Sequence, residues 1–370
     1  MKILIVMGTR PEAIKFAPLI KALKKDSFFD LKICTTGQHK EMLQQVMDFF
    51  QINSDFDLGL MRTNQTLSDL SAAALIGLKP IIEEVNPDIL FVQGDTTTAF
   101  VGGLAAFYHR VKVAHLEAGL RSGNKYSPFP EEVNRKLLSV VSDLHFAPTT
   151  LAKEYLNNEG IHENVWVVGN TVVDALLMGI DILRRESLSF ENEFNYLDFS
   201  KPIILVTAHR RESFGKPFLN ICKAIIETRD KHPDVQFVYP VHYNPNVREV
   251  VNLHLSNQER IFLIEPLDYK RLIWMMEKSF IILTDSGGIQ EEAPALGKPV
   301  LVLREVTERI EGVEAGTAKL VGTDLNTIIL ELNNLIENAD DQYTKMAQAV
   351  NPYGDGMTST QIVEILKTRA

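Results

Sequence analysis

Short apolar runs alternate with longer amphipathic ones along the whole chain. In the first half, Lys2–Met7, Leu31–Thr35, Ile89–Val92, Lys112–His115, Leu144–Phe146 and Val165–Val168 read as strands. Between them, apolar residues recur at helical spacing over Pro11–Lys25, Lys40–Phe50, Leu67–Val85, Thr97–Tyr108 and Glu131–Val141. Strands that are apolar on both faces and separated by helices predict a parallel sheet covered on both sides. A polar stretch near Arg184–Lys201 interrupts the pattern, which then restarts. The new strands are Ile203–Thr207, Gln236–Pro240, Ile261–Ile264, Phe280–Thr284 and Val300–Leu303, with helices at Pro217–Asp230, Tyr269–Glu277 and Gly288–Leu296. The predicted fold is α/β: two Rossmann-like, doubly wound parallel-sheet domains in tandem with a cleft between them. The boundary is expected near Asn170, giving domains 1–170 and 171–351, with the helix after Asn170 as connector.

Composition narrows the class without changing that fold. A chain of 370 residues suits two domains, and 45% hydrophobic with 23% charged residues lets each bury a full core. A net charge of −10 argues against a general binder of nucleic acid or anionic membrane, although it leaves room for a local phosphate pocket. Cys34 and Cys222 match no metal or redox spacing and lie in apolar segments, so buried free thiols are expected. The apolar run Ile3–Met7 is too short for a signal peptide, and no stretch approaches a membrane span. The cytoplasm is the expected location.

Open parallel sheets bind ligands beyond the carboxyl ends of their strands, so the residues following each strand carry the candidate chemistry. The first strand ends in Gly8-Thr9-Arg10-Pro11-Glu12, where Gly8 permits close backbone approach and Arg10 sits at a helix start that favours an anion. Asp95 follows the strand Ile89–Val92, and capping of the next helix is its simpler reading. Glu117 lies just past an apolar strand, where a solvated surface charge is harder to place. Two prolines frame a loop before Glu131 and Glu132, one of which suffices as a first-turn acid. Carboxylates at neighbouring strand ends are what acid–base chemistry requires. The second half repeats the arrangement with the opposite charge. His209, Arg210 and Arg211 follow one strand, His242 follows the next, and Ser286-Gly287-Gly288 presents backbone N–H groups as a phosphate cradle, with Glu292 in reach of ribose hydroxyls. Two histidines and two arginines at adjacent strand ends point to a pyrophosphate site. The His209–Glu212 spacing matches no zinc site, and neither a metal nor a redox cofactor is expected. The basic side would hold an anionic nucleotide while the acidic side acts on the group it carries.

These segments resemble the non-hydrolysing UDP-N-acetylglucosamine 2-epimerases. The matching stretches are GTRPEAIK (8–15), TGQHKEM (36–42), GDTTT (94–98), HLEAGLRSG (115–123), YSPFPEEVNR (126–135), GNTVVDAL (169–176), TAHRRE (207–212), YPVHYNPNVRE (239–249), LTDSGGIQEEAP (283–294), LGKPVLVLR (296–304) and NPYGDG (351–356), which span nearly the whole chain in order. The resemblance implies a glycosyltransferase-B-like fold, a homodimer, and a terminal helix (352–370) packed back on the first domain. It implies reversible epimerisation at C2 of UDP-N-acetylglucosamine to UDP-N-acetylmannosamine, feeding cell-surface polysaccharide synthesis. It assigns acid–base roles to Asp95, Glu117 and Glu131 and an essential role to His209. It assigns substrate contacts to Arg10, Lys15, His242, Ser286, Gly287, Gly288, Glu292 and Arg309, with uracil against Glu265–Tyr269. Two positions depart from the family pattern. Ile310 stands where proline usually follows the arginine, and Asn64 stands where members with a regulatory site have arginine, although Gln38 and His39 match that site.

Three other functions fit parts of this reading. A glycosyltransferase of the same fold needs an acceptor, so turnover of UDP-N-acetylglucosamine alone separates it from an epimerase. A hydrolysing relative releases free N-acetylmannosamine. A UDP-sugar sensor has no use for strand-end carboxylates. With no nicotinamide motif to oxidise a neighbouring carbon, elimination of UDP and its re-addition is the expected route.

Overall fold

The computed structural model describes residues 1–37, 40–61, 65–210 and 213–369. Contacts divide them into two units, one of Met1–Met178 with the chain from Tyr353 onward, the other Gly179–Pro352. The division falls inside a helix, between Met178 and Gly179 rather than at Asn170.

The first unit contains strands β1 (Lys2–Met7), β2 (Asp30–Thr35), β3 (Phe56–Asp57), β4 (Ile89–Gln93), β5 (Lys112–Leu116), β6 (Leu144–Ala147) and β7 (Val165–Val167). Its helices are α1 (Arg10–Lys24), α2 (Lys40–Phe49), α3 (Leu67–Val85), α4 (Thr97–Tyr108), α5 (Glu131–Val141), α6 (Thr150–Asn158) and the start of α7 (Thr171–Arg185). All strands are parallel, in the order β3-β2-β1-β4-β5-β6-β7. Strand β1 is central and buried from Ile3 to Met7, which is why its run is apolar on both faces. The short β3 and the helix α6 lie outside the elements the pattern singled out.

The second unit contains β8 (Ile203–Thr207), β9 (Gln236–Pro240), β10 (Ile261–Ile264), β11 (Ile281–Thr284), β12 (Val300–Val302) and β13 (Ala318–Leu320), in the parallel order β10-β9-β8-β11-β12-β13. Around them lie α8 (Lys216–Lys231), α9 (Pro245–Leu255), α10 (Tyr269–Lys278), α11 (Gly287–Glu292), α12 (Ile310–Glu314), α13 (Leu325–Glu337) and α14 (Thr344–Ala347). The Arg184–Lys201 stretch is less polar in space than in sequence. Phe194 and Leu197 are buried, and the Phe194 ring stacks on Trp274 of α10 at 5.6 Å.

The last helix, α15 (Thr358–Thr368), packs on α1, with Lys367 2.5 Å from Asp26. Asp174 of α7 accepts from Ser359 N at 2.7 Å, and Gly169 lies so close to the same turn that an added Cβ would sit 2.7 Å from Thr358 Oγ1. Cys34 and Cys222 are buried free thiols, and burial pushes each up to about 12. No helix among the described residues is long and apolar enough to cross a membrane.

Candidate active site

In each sheet the strand order reverses at one point, between β1 and β4 in the first and between β8 and β11 in the second. Side chains from the loops at such a point gather in one crevice beyond the carboxyl ends of the strands. Arg10 and Asp95 follow the two strands at the first point, His209 and Ser286 those at the second, and the other candidates follow neighbouring strands.

In the first unit, the turn after β1 is built around a buried carboxylate that the sequence reading did not single out. Glu12 Oε2 accepts from Gly8 N at 2.8 Å and Thr9 N at 2.7 Å, and Oε1 accepts from Thr96 Oγ1 at 2.7 Å. Burial raises the Glu12 carboxyl above its usual range, against the pull of these donors. One side chain thereby joins the turn that carries Arg10 to the turn that carries Asp95. Gly8 tolerates no side chain there, since an added Cβ would lie 2.2 Å from Thr36 Oγ1.

Asp95 and Glu117 follow neighbouring strands, and each turn uses the left-handed backbone region. Gly94 has φ +70°, and Glu117 itself has φ +64°. For a side chain other than glycine this conformation costs about 1–2 kcal/mol, and it persists only where the surroundings hold it. Arg135 supplies much of that hold. Its guanidinium donates to the Glu117 carbonyl, to Asp95 Oδ2 and, at 3.3 Å, to Glu117 Oε1. Glu117 Oε2 also accepts from Lys15 Nζ, from Gln93 Nε2 at 3.0 Å and from Asn170 Nδ2 at 3.2 Å. Glu117 and Arg135 are both buried, while the Asp95 side chain is 28% exposed. The acidic end of this unit is therefore interleaved with its own cations. Lys15, assigned to the substrate by resemblance, pairs with Glu117.

Helix α5 begins at Glu131, one turn before Asn134 and Arg135 on the same helix face. Asn134 Nδ2 donates to the Asp95 carbonyl at 3.0 Å. Of the two adjacent acids, Glu132 is the structural one, accepting from Ser122 N at 2.9 Å and Gly123 N at 3.2 Å. Glu131 keeps a buried Oε2 with no hydrogen-bond partner among the described residues. Beneath the site, His115 of β5 donates through Nε2 to the Gly94 carbonyl at 2.8 Å, and burial beside Arg135 holds this imidazole well below its usual range. Gln93, Arg135 and Asn170 escaped the sequence reading. The spacing of Arg135 four residues after Glu131 was the one local signal for them.

In the second unit, Asp285 is fully buried and organises the turn after β8. Its Oδ2 accepts from His209 N at 2.6 Å and Arg210 N at 2.7 Å. His209 Nδ1 lies 3.2 Å from Asp285 Oδ1, off hydrogen-bond alignment, and its ring stacks on His242 with centroids 5.1 Å apart. Burial, with the neighbouring His209 adding to it, lowers His242. Ser286 N donates to Thr284 Oγ1 at 3.0 Å, and Gly287 lies against Arg309, whose Cζ would be 2.9 Å from an added Cβ. Arg309 Nε donates to Glu291 Oε1 at 2.9 Å and so is held at this turn with Ile310 opening α12 directly after it. Buried Glu292 accepts from Tyr269 OH at 3.4 Å. A cavity of about 320 Å³ runs along Ile264–Asp268, lined also by Phe194, Tyr196 and Arg271. Gln38, His39, Asn64, Arg211 and Glu212 lie outside the described residues.

This geometry can be set beside known proteins. The family model for UDP-N-acetylglucosamine 2-epimerase matches residues 21–367. The UDP-N-acetylglucosamine 2-epimerase of Escherichia coli K12 is 50% identical over 99% of this chain and 98% of its own length. The crystal structure of UDP-GlcNAc 2-epimerase from Neisseria meningitidis bound to UDP-GlcNAc superposes with a TM-score of 0.92 at 48% identity, covering all of both chains. The Methanocaldococcus jannaschii UDP-GlcNAc 2-epimerase in complex with UDP-GlcNAc and UDP gives 0.80 at 34% identity, again over all of both chains. Strand-end carboxylates in one doubly wound unit, a histidine-lined turn in the other, and likeness along the full length agree: the chain belongs to the UDP-N-acetylglucosamine 2-epimerases, enzymes of the isomerase class.

Proposed function

We propose that the protein interconverts UDP-N-acetylglucosamine and UDP-N-acetylmannosamine by eliminating UDP and adding it back. The observation that supports this most directly is the convergence of Asp95 and Glu117 on Arg135, with Glu131 one turn away. The C2 proton has no carbonyl beside it. A carboxylate takes that proton, the C2–H pair becomes the C1=C2 double bond, and the C1–O pair leaves with UDP. The product pair is a 2-acetamidoglucal and UDP. Protonation of C2 on the opposite face, with return of the diphosphate oxygen to C1, gives the other epimer. His209 and Arg10 would stabilise the leaving diphosphate, where negative charge develops. The second unit would hold the nucleotide, with the diphosphate at Ser286, Gly287 and Gly288, the ribose at Glu292 and uracil along Glu265–Tyr269. Lys15, His242 and Arg309 would support the same substrate.

Incubation with UDP-N-acetylglucosamine in heavy water, without any acceptor, tests the reaction. Proton NMR is expected to show the mannose epimer with deuterium at C2, and an oxygen label in the diphosphate is expected to scramble. A product that keeps its original C2 hydrogen overturns the elimination route.

Glu292→Gln is expected to weaken UDP binding by about 1.5–3 kcal/mol, because a charged acceptor to ribose hydroxyls becomes an amide. Isothermal calorimetry with UDP measures this, and an unchanged affinity removes Glu292 from the nucleotide site.

We further infer a homodimer that works in the cytoplasm and supplies UDP-N-acetylmannosamine for cell-surface polysaccharides. The buried free cysteines fit a reducing compartment. Helices α3, α4 and α5 pack side by side and expose Ile76, Phe107, Tyr108, Leu137 and Val140, an apolar surface of the kind that marks an interface. Sedimentation is expected to give a dimer, and Phe107→Asp with Val140→Asp a monomer. A wild-type monomer at micromolar concentration rules the homodimer out.

A further inference from the structure

The carboxylates at the strand ends of the first unit differ in how many donors already occupy them. Glu117 is filled. Its Oε2 has three donors, from Lys15, Gln93 and Asn170, and its Oε1 has Arg135. A carboxylate oxygen has two lone pairs in its plane, so three donors on Oε2 leave no direction for a proton from carbon. The backbone agrees with this fixity. Glu117 stands in the left-handed region, its carbonyl is held by Arg135, and the residue is buried. Its attachments come from α1, β4, α5 and Asn170, the residue that precedes α7, so the carboxylate ties four segments together.

Asp95 and Glu131 are placed differently. Among the described residues Asp95 uses only Oδ2, for Arg135, and its side chain is 28% exposed. Glu131 has a buried oxygen with no hydrogen-bond partner among the described residues. An unsatisfied carboxylate oxygen in a protein interior is costly and calls for an explanation, and a proton to be accepted or delivered is one.

Resting on the epimerase reading above, we propose that Glu117 is a positioning residue, a fixed anion that holds Lys15 and Arg135 in place, and that proton transfer at the two faces of C2 falls to Asp95 and Glu131. Arg135 links the two roles, since the guanidinium that Glu117 holds is the one that aims Asp95. In each direction one carboxylate takes the C2 proton as the C1–O bond to UDP breaks. The other, carrying a proton, delivers it to the opposite face as that bond re-forms.

Isotope exchange separates these roles. Each epimer is supplied separately in heavy water, and entry of deuterium at C2 of the unreacted epimer is followed together with epimerisation. Wild-type protein exchanges both. Loss of one proton carrier leaves the other able to remove and return its own proton. Asp95→Asn and Glu131→Gln are therefore expected to retain exchange in one epimer each, and in opposite ones, without epimerisation. Glu117→Gln is expected to slow exchange from both epimers by the same factor, on the order of 10², as misplacement of the reacting groups does. Lys15→Met is expected to repeat that symmetric loss and serves as the second variant should Glu117→Gln not fold. One-sided exchange in Glu117→Gln or Lys15→Met overturns the proposal, and so does a symmetric loss in both Asp95→Asn and Glu131→Gln. Wild-type protein that neither exchanges nor epimerises either nucleotide sugar would instead remove the epimerase reading on which the proposal rests.

Discussion

Asp95→Asn and Glu131→Gln are each expected to lose about 10²–10⁴-fold in turnover, the contribution typical of a general acid or base. That corresponds to about 3–5 kcal/mol of transition-state stabilisation. Both changes are nearly isosteric. Asparagine at 95 keeps an oxygen for Arg135, and glutamine at 131 disturbs no hydrogen bond of the buried oxygen. Stability is therefore expected to stay close to wild type in both variants, and the loss should appear in turnover. UDP affinity, measured by calorimetry, is expected to be unchanged, because the residues assigned to the nucleotide lie mainly in the other unit. A variant that keeps more than about a tenth of wild-type turnover carries no general acid–base role on this scale.

Stability is expected to fall as pH drops below about 6.5, where an ordinary histidine begins to charge. His145 of β6 is buried, and that burial lowers it to about 4, against the pull of the Ser142 backbone and Asp143. His115, beside it in β5, is also held well below the usual imidazole range, by burial first and Arg135 second. The folded pKa lies below the unfolded one, so between the two the unfolded chain binds the extra proton and stability decreases as pH falls. Above the unfolded value neither group contributes. For His145 alone the loss is about 2 kcal/mol at pH 5. Glu12 and Asp174 are raised by burial and act in the opposite sense, gaining stability as they protonate. A paired measurement cancels them. Urea unfolding of wild type and His145→Gln at pH 7.5 and pH 5 is expected to show the gap between the two shifting by about 2 kcal/mol in favour of the variant at pH 5. The same gap at both pH values would show that His145 is not kept neutral by its surroundings.

Much of the fold is legible along the chain. Apolar runs of strand length separated by helical periodicity predict two parallel sheets, and the observed strands β1, β2 and β4 to β12 fall within a residue or two of those runs. The elements that escape are short or amphipathic in the ordinary way. Strand β3 has two residues and β13 three, too few for a period to register. The stretch after α7 reads as polar because most of its residues are. Its few aromatic side chains find partners in Trp274 and Phe262, far along the chain.

The candidate site divides in the same way. Which residues end the strands is a local property. Asp95, Glu117, His209 and Ser286 are found by reading two or three positions beyond each apolar run, and the ordered motifs around them identify the family. What those side chains do to one another is not local. Arg135 reaches Asp95 from 40 residues away, Lys15 reaches Glu117 from 102 and Asn170 reaches it from 53. Asp285 caps the His209 turn across 76 residues. Sequence by itself determined the element types, the two doubly wound sheets and the residue types at their carboxyl ends, because periodicity and turn chemistry act over a few residues. Only the tertiary structure decided which carboxylate is filled by donors and which keeps an open oxygen, because occupancy depends on side chains that approach one another only when parallel strands distant in sequence lie side by side.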